Sequence, residues 1–396
     1  MEKIWKKTWQ WEIHKSIEKY TIGSDYILDM QLIPYDIQWS IAHCKMLFKI
    51  WILTEQEKNK LLIWLEEILK IYQKWEFTIE PSQEDCHSAI ESYLIEHVGE
   101  AGKKIHTGRS RNDQILVTIR LFTLDLIEKL EEKICKLIRT IEKQSSEFTG
   151  ISMPGYTHTQ RAMPTSVSAW LGSFWDALKD DLILLSAAKK INNQNPLWSA
   201  AWFWDAWLWL DRDYTTELLD FDSTQKNPIY CAYSRGKFEY ITLQSLSQVM
   251  LDLWKLANDL VYFSAQEFDF FTLPDSFKTG SSIMPQKKNW DVMELVRWNT
   301  NLFLWYEFQI REIFKMLFSW YNRDFQLTKE PYLKWIEVTM DSIDICTLVI
   351  ENLWVNAEKL KNACSDDLYA TKEAYHLVKQ GMNFRDAYKI IGDKYQ

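Results

Sequence analysis

From Arg109 to Thr149 the chain contains neither glycine nor proline. Along it Ile115, Ile119, Phe122, Leu126, Leu130, Ile134, Leu137 and Ile141 recur at spacings of three and four. That spacing puts eight apolar side chains on one stripe of an α-helix. It predicts a helix much longer than the usual three or four turns. Phe238 to Phe268 and Asp291 to Phe318 read as two more long helices. Period-two alternation of useful length is missing, so no sheet is expected. Long helices with mostly continuous apolar faces predict an all-α fold built on a long central helical bundle. The expected organisation is a small N-terminal helical domain over residues 1–105, the bundle over 106–353, and a short C-terminal helical domain over 354–396.

Composition narrows the setting. The 396 residues are 47% hydrophobic, enough for a large core. A net charge of −9 argues against a broad nucleic-acid surface. No apolar run reaches the length of a membrane span, so no membrane partner is expected. The opening "MEKIWKKTWQWEIHK" lacks the apolar stretch of a signal peptide. Cys44, Cys86, Cys135, Cys231, Cys346 and Cys364 are far apart and form no CxxC pair. They read as reduced thiols of a cytoplasmic protein, with no metal site and no disulfide framework.

One count is abnormal. The 11 glycines fall well short of the roughly 28 that a usage of about 7% implies, and the 21 tryptophans make up the difference. Trp51 falls where a helix should end, a position that favours glycine. Trp320 precedes an apparent turn at Tyr321-Asn322-Arg323-Asp324. Five tryptophans crowd "WSAAWFWDAWLWLDRDY": Trp198, Trp202, Trp204, Trp207 and Trp209. Read as an aromatic binding surface, that stretch lacks the basic residues that such surfaces use. The reading adopted here is that many of these tryptophans are glycine in the organism, through a UGA codon read as glycine there. The stretch then becomes a glycine-rich loop.

Four polar islands interrupt the helical text. "HTGRSRNDQ" sets Arg109 and Arg111 at a helix start that Ser110 or Asn112 can cap; two arginines there suit an anion. "MPGYTHTQRAMPTS" places His158 between Thr157 and Thr159, in a loop bounded by Pro154 and Pro164. A histidine in that setting suits proton transfer near neutral pH. "KTGSSIMPQKKNWDVMELVR" offers Ser281 and Lys287 in a flexible loop, a pairing that can activate a hydroxyl and hold an oxyanion. Glu294 lies one turn into the next helix, placed to orient an imidazole. "YNRDFQLTKE" supplies Tyr321, Arg323, Gln326 and Lys329 as binding groups.

In order, HTGRSRND, PGYTHxQRAxP and GSSxMPQKKN resemble the argininosuccinate lyase family of the fumarase/aspartase superfamily. The resemblance runs through "YDIQWSIAHCKML" and "EDCHSAIESYLIEHVGEAGKK" to the tail "ATKEAYHLVKQGMNFRDAY". Trp39, Trp51, Trp198, Trp202, Trp298 and Trp320 fall where the family commonly has glycine. The resemblance implies reversible cleavage of argininosuccinate to arginine and fumarate, without metal or organic cofactor. It implies His158 and Ser281 as the acid–base pair and leaves open which takes the carbon proton. Glu294 would support His158, and Lys287 would activate Ser281. Lys287 and Asn289 would face the fumarate-side carboxylates. Arg111, Asn112, Thr157, Arg235, Tyr321, Gln326 and Lys329 would bind substrate. The family's sites are shared among the subunits of a homotetramer.

Three departures stand out. "GSDYILD" replaces a usual Ser-Ile-x-x-Asp, which leaves the roles of Ser24 and Asp25 open. Trp290 replaces a usual proline, and the C-terminal domain is short. Adenylosuccinate lyase, aspartase and fumarase are the nearest alternatives, but their loops after GSSxMP differ from QKKN. Retention of His158, Ser281 and Lys287 argues against a non-catalytic, crystallin-like structural protein.

Overall fold

The computed structural model describes residues 13–199, 208–319 and 321–395. The expected mostly helical fold is present. In chain order the helices are α1 (Lys15–Ile22), α2 (Asp25–Leu28), α3 (Ile33–Lys49), α4 (Glu55–Gln73), α5 (Cys86–Val98), α6 (Glu100–Lys104), α7 (Arg111–Glu147), α8 (Val167–Asn192), α9 (Arg212–Leu218), α10 (Pro228–Tyr233), α11 (Lys237–Phe263), α12 (Asp291–Phe314), α13 (Lys329–Glu351), α14 (Ala357–Ala363), α15 (Ala370–Lys379) and α16 (Phe384–Lys394). All eight apolar residues of the α7 stripe are buried. Local chemistry sets the ends. At α4, Thr54 and Glu57 form a reciprocal capping box, with Thr54 N–H donating to Glu57 Oε2 at 2.9 Å. At α7, the Ser110 hydroxyl accepts from Asn112 N–H at 3.3 Å, and Ser110 N–H donates to Asp113 at 2.8 Å.

Contacts divide the chain into two compact units. The first comprises residues 1–129, 185–244 and 306–336; the second comprises 130–184, 245–305 and 337–396. In the first, Ile33, Ile37, Leu47, Leu61, Leu65 and Leu94 join the early part of the α7 stripe in burial. In the second, Leu130, Ile134, Leu137, Leu246, Leu253, Leu260, Ile343 and Ile350 are buried.

The structure corrects one expectation. Residues 152–166 are not a loop but an antiparallel hairpin of β1 (Ser152–Thr157) and β2 (Gln160–Ser166). Pro154 and Pro164 pair across it, and the register shifts between Pro154 and Tyr156. The bulge and the prolines break the alternation that would have marked strands in the sequence. Its two-residue turn is His158-Thr159, with φ of 52° and 61°. Two left-handed residues are what a tight hairpin turn needs.

Candidate active site

One pocket is built wholly from the first unit. It is lined by Ile22, Asp25, Asp29, Glu84, Asp85, His87, Arg111, Asn112, Ile115, Arg235, Tyr321, Arg323, Gln326 and Lys329. Seven of the residues singled out in the sequence therefore meet there: Arg111, Asn112, Arg235, Tyr321, Arg323, Gln326 and Lys329. Helical spacing does part of the work. Asp25 and Asp29 lie four residues apart, and Gln326 and Lys329 three apart, so each pair sits on one helical face.

The pocket's charges interlock. Lys329 is buried, with Nζ 2.6 Å from Asp29 and 3.4 Å from Asp25. Burial works against its charge, but Asp29 and Asp25 outweigh that and raise its pKa. Gln326 donates to the Asp25 carboxylate. Arg111 donates to Glu84 at 2.7 Å and to the Ser88 hydroxyl, and lies 3.5 Å from Asp85. Arg323 donates to the Thr21 carbonyl at 2.7 Å. Arg235 is buried, and its Nε has no partner among the described residues. His87 joins Asp36 through Nδ1; burial opposes its charge, yet Asp36, Asp85 and Asp29 raise its pKa. The result is a site for a molecule carrying both anionic and cationic groups.

The remaining candidates lie on two segments of the second unit. Thr157 and His158 are exposed at the hairpin turn. Ser281, Lys287 and Asn289 lie on a loop closed by the Thr279–Asn289 bridge, where Asn289 N–H donates to the Thr279 carbonyl at 2.9 Å. Ser281 Oγ accepts from Met284 N–H at 3.1 Å, and Asn289 donates to the Gly280 carbonyl at 3.2 Å. Lys288, not Lys287, is taken up by Asp275, at 2.6 Å. Glu294 lies 3.9 Å from Arg297. Among the described residues no hydrogen bond joins His158 to Ser281, Lys287 or Glu294.

The sequence left Ser24 and Asp25 open; Asp25 lines the pocket, and Ser24 precedes α2 without a side-chain cap bond. Asp29, Glu84, Asp85 and His87 were not singled out. For Glu84, Asp85 and His87 the one signal is the acid-rich "QEDCH" at the start of α5, and acids before a helix look like ordinary caps; Asp85 does accept from Ser88 N–H at 2.8 Å. The Gly-for-Trp positions divide. Trp51 and Trp198 hold left-handed φ of 65° and 57°. Trp39 and Trp298 lie inside helices, and Trp202, Trp204, Trp207 and Trp320 fall outside the described residues.

A family model described as a lyase matches residues 15–301. The chain is 40% identical to the argininosuccinate lyase of Thermotoga neapolitana over 394 residues, covering 100% of this chain and 98% of the relative. It is 40% identical to that of Bacteroides fragilis, covering 99% and 87%. Among solved structures, an EDDS lyase in complex with formate superposes with a TM-score of 0.82 at 24% identity, covering 97% of this chain and 76% of that one. A fumarate lyase:delta crystallin from Brucella melitensis also reaches 0.82, at 17% identity, covering 96% and 87%. These two likenesses concern the fold.

Proposed function

The chain belongs to the argininosuccinate lyase family, and on that premise we propose that it splits argininosuccinate reversibly into arginine and fumarate. One observation of the structure carries the reading. The pocket gathers seven motif residues from distant parts of the sequence and surrounds them with both signs of charge. Argininosuccinate carries three carboxylates, an ammonium and a guanidinium. Arg111, Arg235 and Lys329 suit its anionic groups, and Asp25 and Asp29 suit its cationic ones. Asn112, Tyr321 and Gln326 add neutral hydrogen-bonding groups.

The reaction removes a proton from the carbon beside a succinate carboxylate. The electron pair left behind is held on that carboxylate as a doubly charged aci-form, which calls for cations and fixed N–H donors. The pair then forms the double bond of fumarate as the C–N bond breaks. The departing guanidino nitrogen takes a proton and leaves as arginine. His158 and Ser281 are the acid–base pair, and Thr157 binds substrate beside His158. Lys287 activates Ser281, Lys287 and Asn289 face the carboxylates, and Glu294 supports His158 once the loops close.

The acid–base candidates belong to one unit and the pocket to the other; membership of the family supports a homotetramer whose sites combine segments of several copies. Exposed apolar side chains on the long helices, Ile183, Leu251, Leu295 and Leu348, supply surface for that assembly. Six free cysteines fit the reducing cytoplasm. The direct test is fumarate release from argininosuccinate, followed by ultraviolet absorbance. His158→Asn or Ser281→Ala should each lower kcat by about 10²–10⁴. Near wild-type turnover in both variants would remove the pair from the mechanism.

A further inference from the structure

Nine non-glycine residues hold a left-handed backbone among those described, and four are Trp51, Trp75, Trp198 and Trp209. The residue types that tolerate this conformation are Asn, Asp and His; a bulky side chain there is an outlier. Trp51 and Trp75 fill the same structural slot. After α3, Ile52 N–H donates to the Leu47 carbonyl at 2.9 Å and Trp51 N–H to Phe48 at 3.1 Å. After α4, Glu76 N–H donates to Ile71 at 3.1 Å and Trp75 N–H to Tyr72 at 2.9 Å. Both are Schellman caps, whose left-handed residue is usually glycine. The two indoles are 88% and 86% exposed, so no burial offsets the strain.

Trp39 and Trp198 raise a different difficulty, inside the core. Both are fully buried. The Arg109 guanidinium lies 4.8 Å from the Trp39 ring, and the His87 ring lies 6.2 Å from it. Arg109 Nε and His87 Nε2 are buried without a hydrogen-bond partner among the described residues, against the near-universal pairing of such atoms. An indole has one donor and no acceptor. Trp39 spends its donor on Thr118 Oγ1 at 2.9 Å, and Trp198 spends its own on His43 Nδ1 at 3.0 Å. The Trp39 ring cannot satisfy the guanidinium it covers.

We infer that positions 39, 51, 75, 198 and 209 are glycine in the cellular protein, and that glycine at 39 and 198 leaves a hydrated polar chamber walled by His43, His87, Arg109 and Thr118. One reassigned codon accounts for the strained caps, the buried indoles and the skewed composition together. His87 belongs to both spaces: it walls the chamber and lines the charged pocket. Water in the chamber accepts from Arg109 Nε and pairs His87 Nε2, which fixes an imidazole already held by Asp36. Trp170 is the contrast. It lies inside α8 without left-handed backbone, and its indole donates to Asp259 at 2.9 Å and stacks on Phe271 at 4.8 Å, so tryptophan is expected to remain there.

The coding sequence and a peptide mass spectrum of the native protein test the assignment. The five codons should all be UGA and their peptides should carry glycine masses, while position 170 is UGG with a tryptophan mass. A tryptophan mass at 51 or 75 overturns the assignment. A crystal structure of the protein with glycine at the five positions tests the chamber. Ordered water bonded to Arg109 Nε and His87 Nε2 is the expected result. A chamber closed by neighbouring side chains, with both atoms still unpartnered, overturns it.

Discussion

Lys329 shows how much a single buried charge controls here. Its ammonium is surrounded by Asp29 and Asp25 and almost shut off from water. Removing it leaves two carboxylates without their counter-charge. Lys329→Met should therefore cost about 3–5 kcal/mol of stability, the usual consequence of breaking a buried pair from one side. It should also abolish turnover; a denaturant melt and a fumarate assay read the two effects. A melt within about 0.5 kcal/mol of the parent, the range of an ordinary surface change, would show that the pair carries no such weight. Individual residues were unevenly legible. Arg111, Tyr321, Gln326 and Lys329 stand in polar islands that no core requires, so the text marks them. Asp29 sits in helical text beside Ile27, Leu28 and Met30, and His87 follows an acidic stretch that reads as a helix cap, so burial of either is invisible until the fold brings them together.

At the scale of elements, the helices were written plainly and the hairpin was not. A 3.6-residue stripe survives over many turns of α7, whereas β1 and β2 are short, carry prolines and shift register. The capping box of α4 is the clearest local signal. Thr54→Ala should destabilise the protein by about 0.5–2 kcal/mol, and Thr54→Ser should restore most of that in the same melt. In the second unit, α8 and α11 bring Asp181 against Asp252. Burial, then Asp252 and Asp180, push the Asp181 carboxyl up to about 7. The folded chain thus holds this proton more tightly than the unfolded chain, where the value is about 3.9. The stabilisation is full below that lower value and is lost as pH rises through about 7. Asp181→Asn keeps the hydrogen bond without the charge. It should raise Tm relative to the parent more at pH 8 than at pH 5; parallel curves would contradict the assignment.

For the whole molecule, the informative fact is a division. The charged pocket is drawn from the first unit, and the hairpin turn and the Ser281 loop belong to the second. The family resemblance implied a site shared among copies, but motif order along the chain does not mark which residues form the pocket and which lie on the other unit. The proposed site joins the pocket of one copy to loops of others. The direct test mixes His158→Asn protein, with an intact pocket, and Gln326→Ala protein, with intact loops, each inactive alone. After verified subunit exchange of equal amounts, about a quarter of the sites should combine a good pocket with a good turn, and fumarate release should recover to that extent. No recovery after exchange would contradict the shared site and place both residues in one chain's own centre.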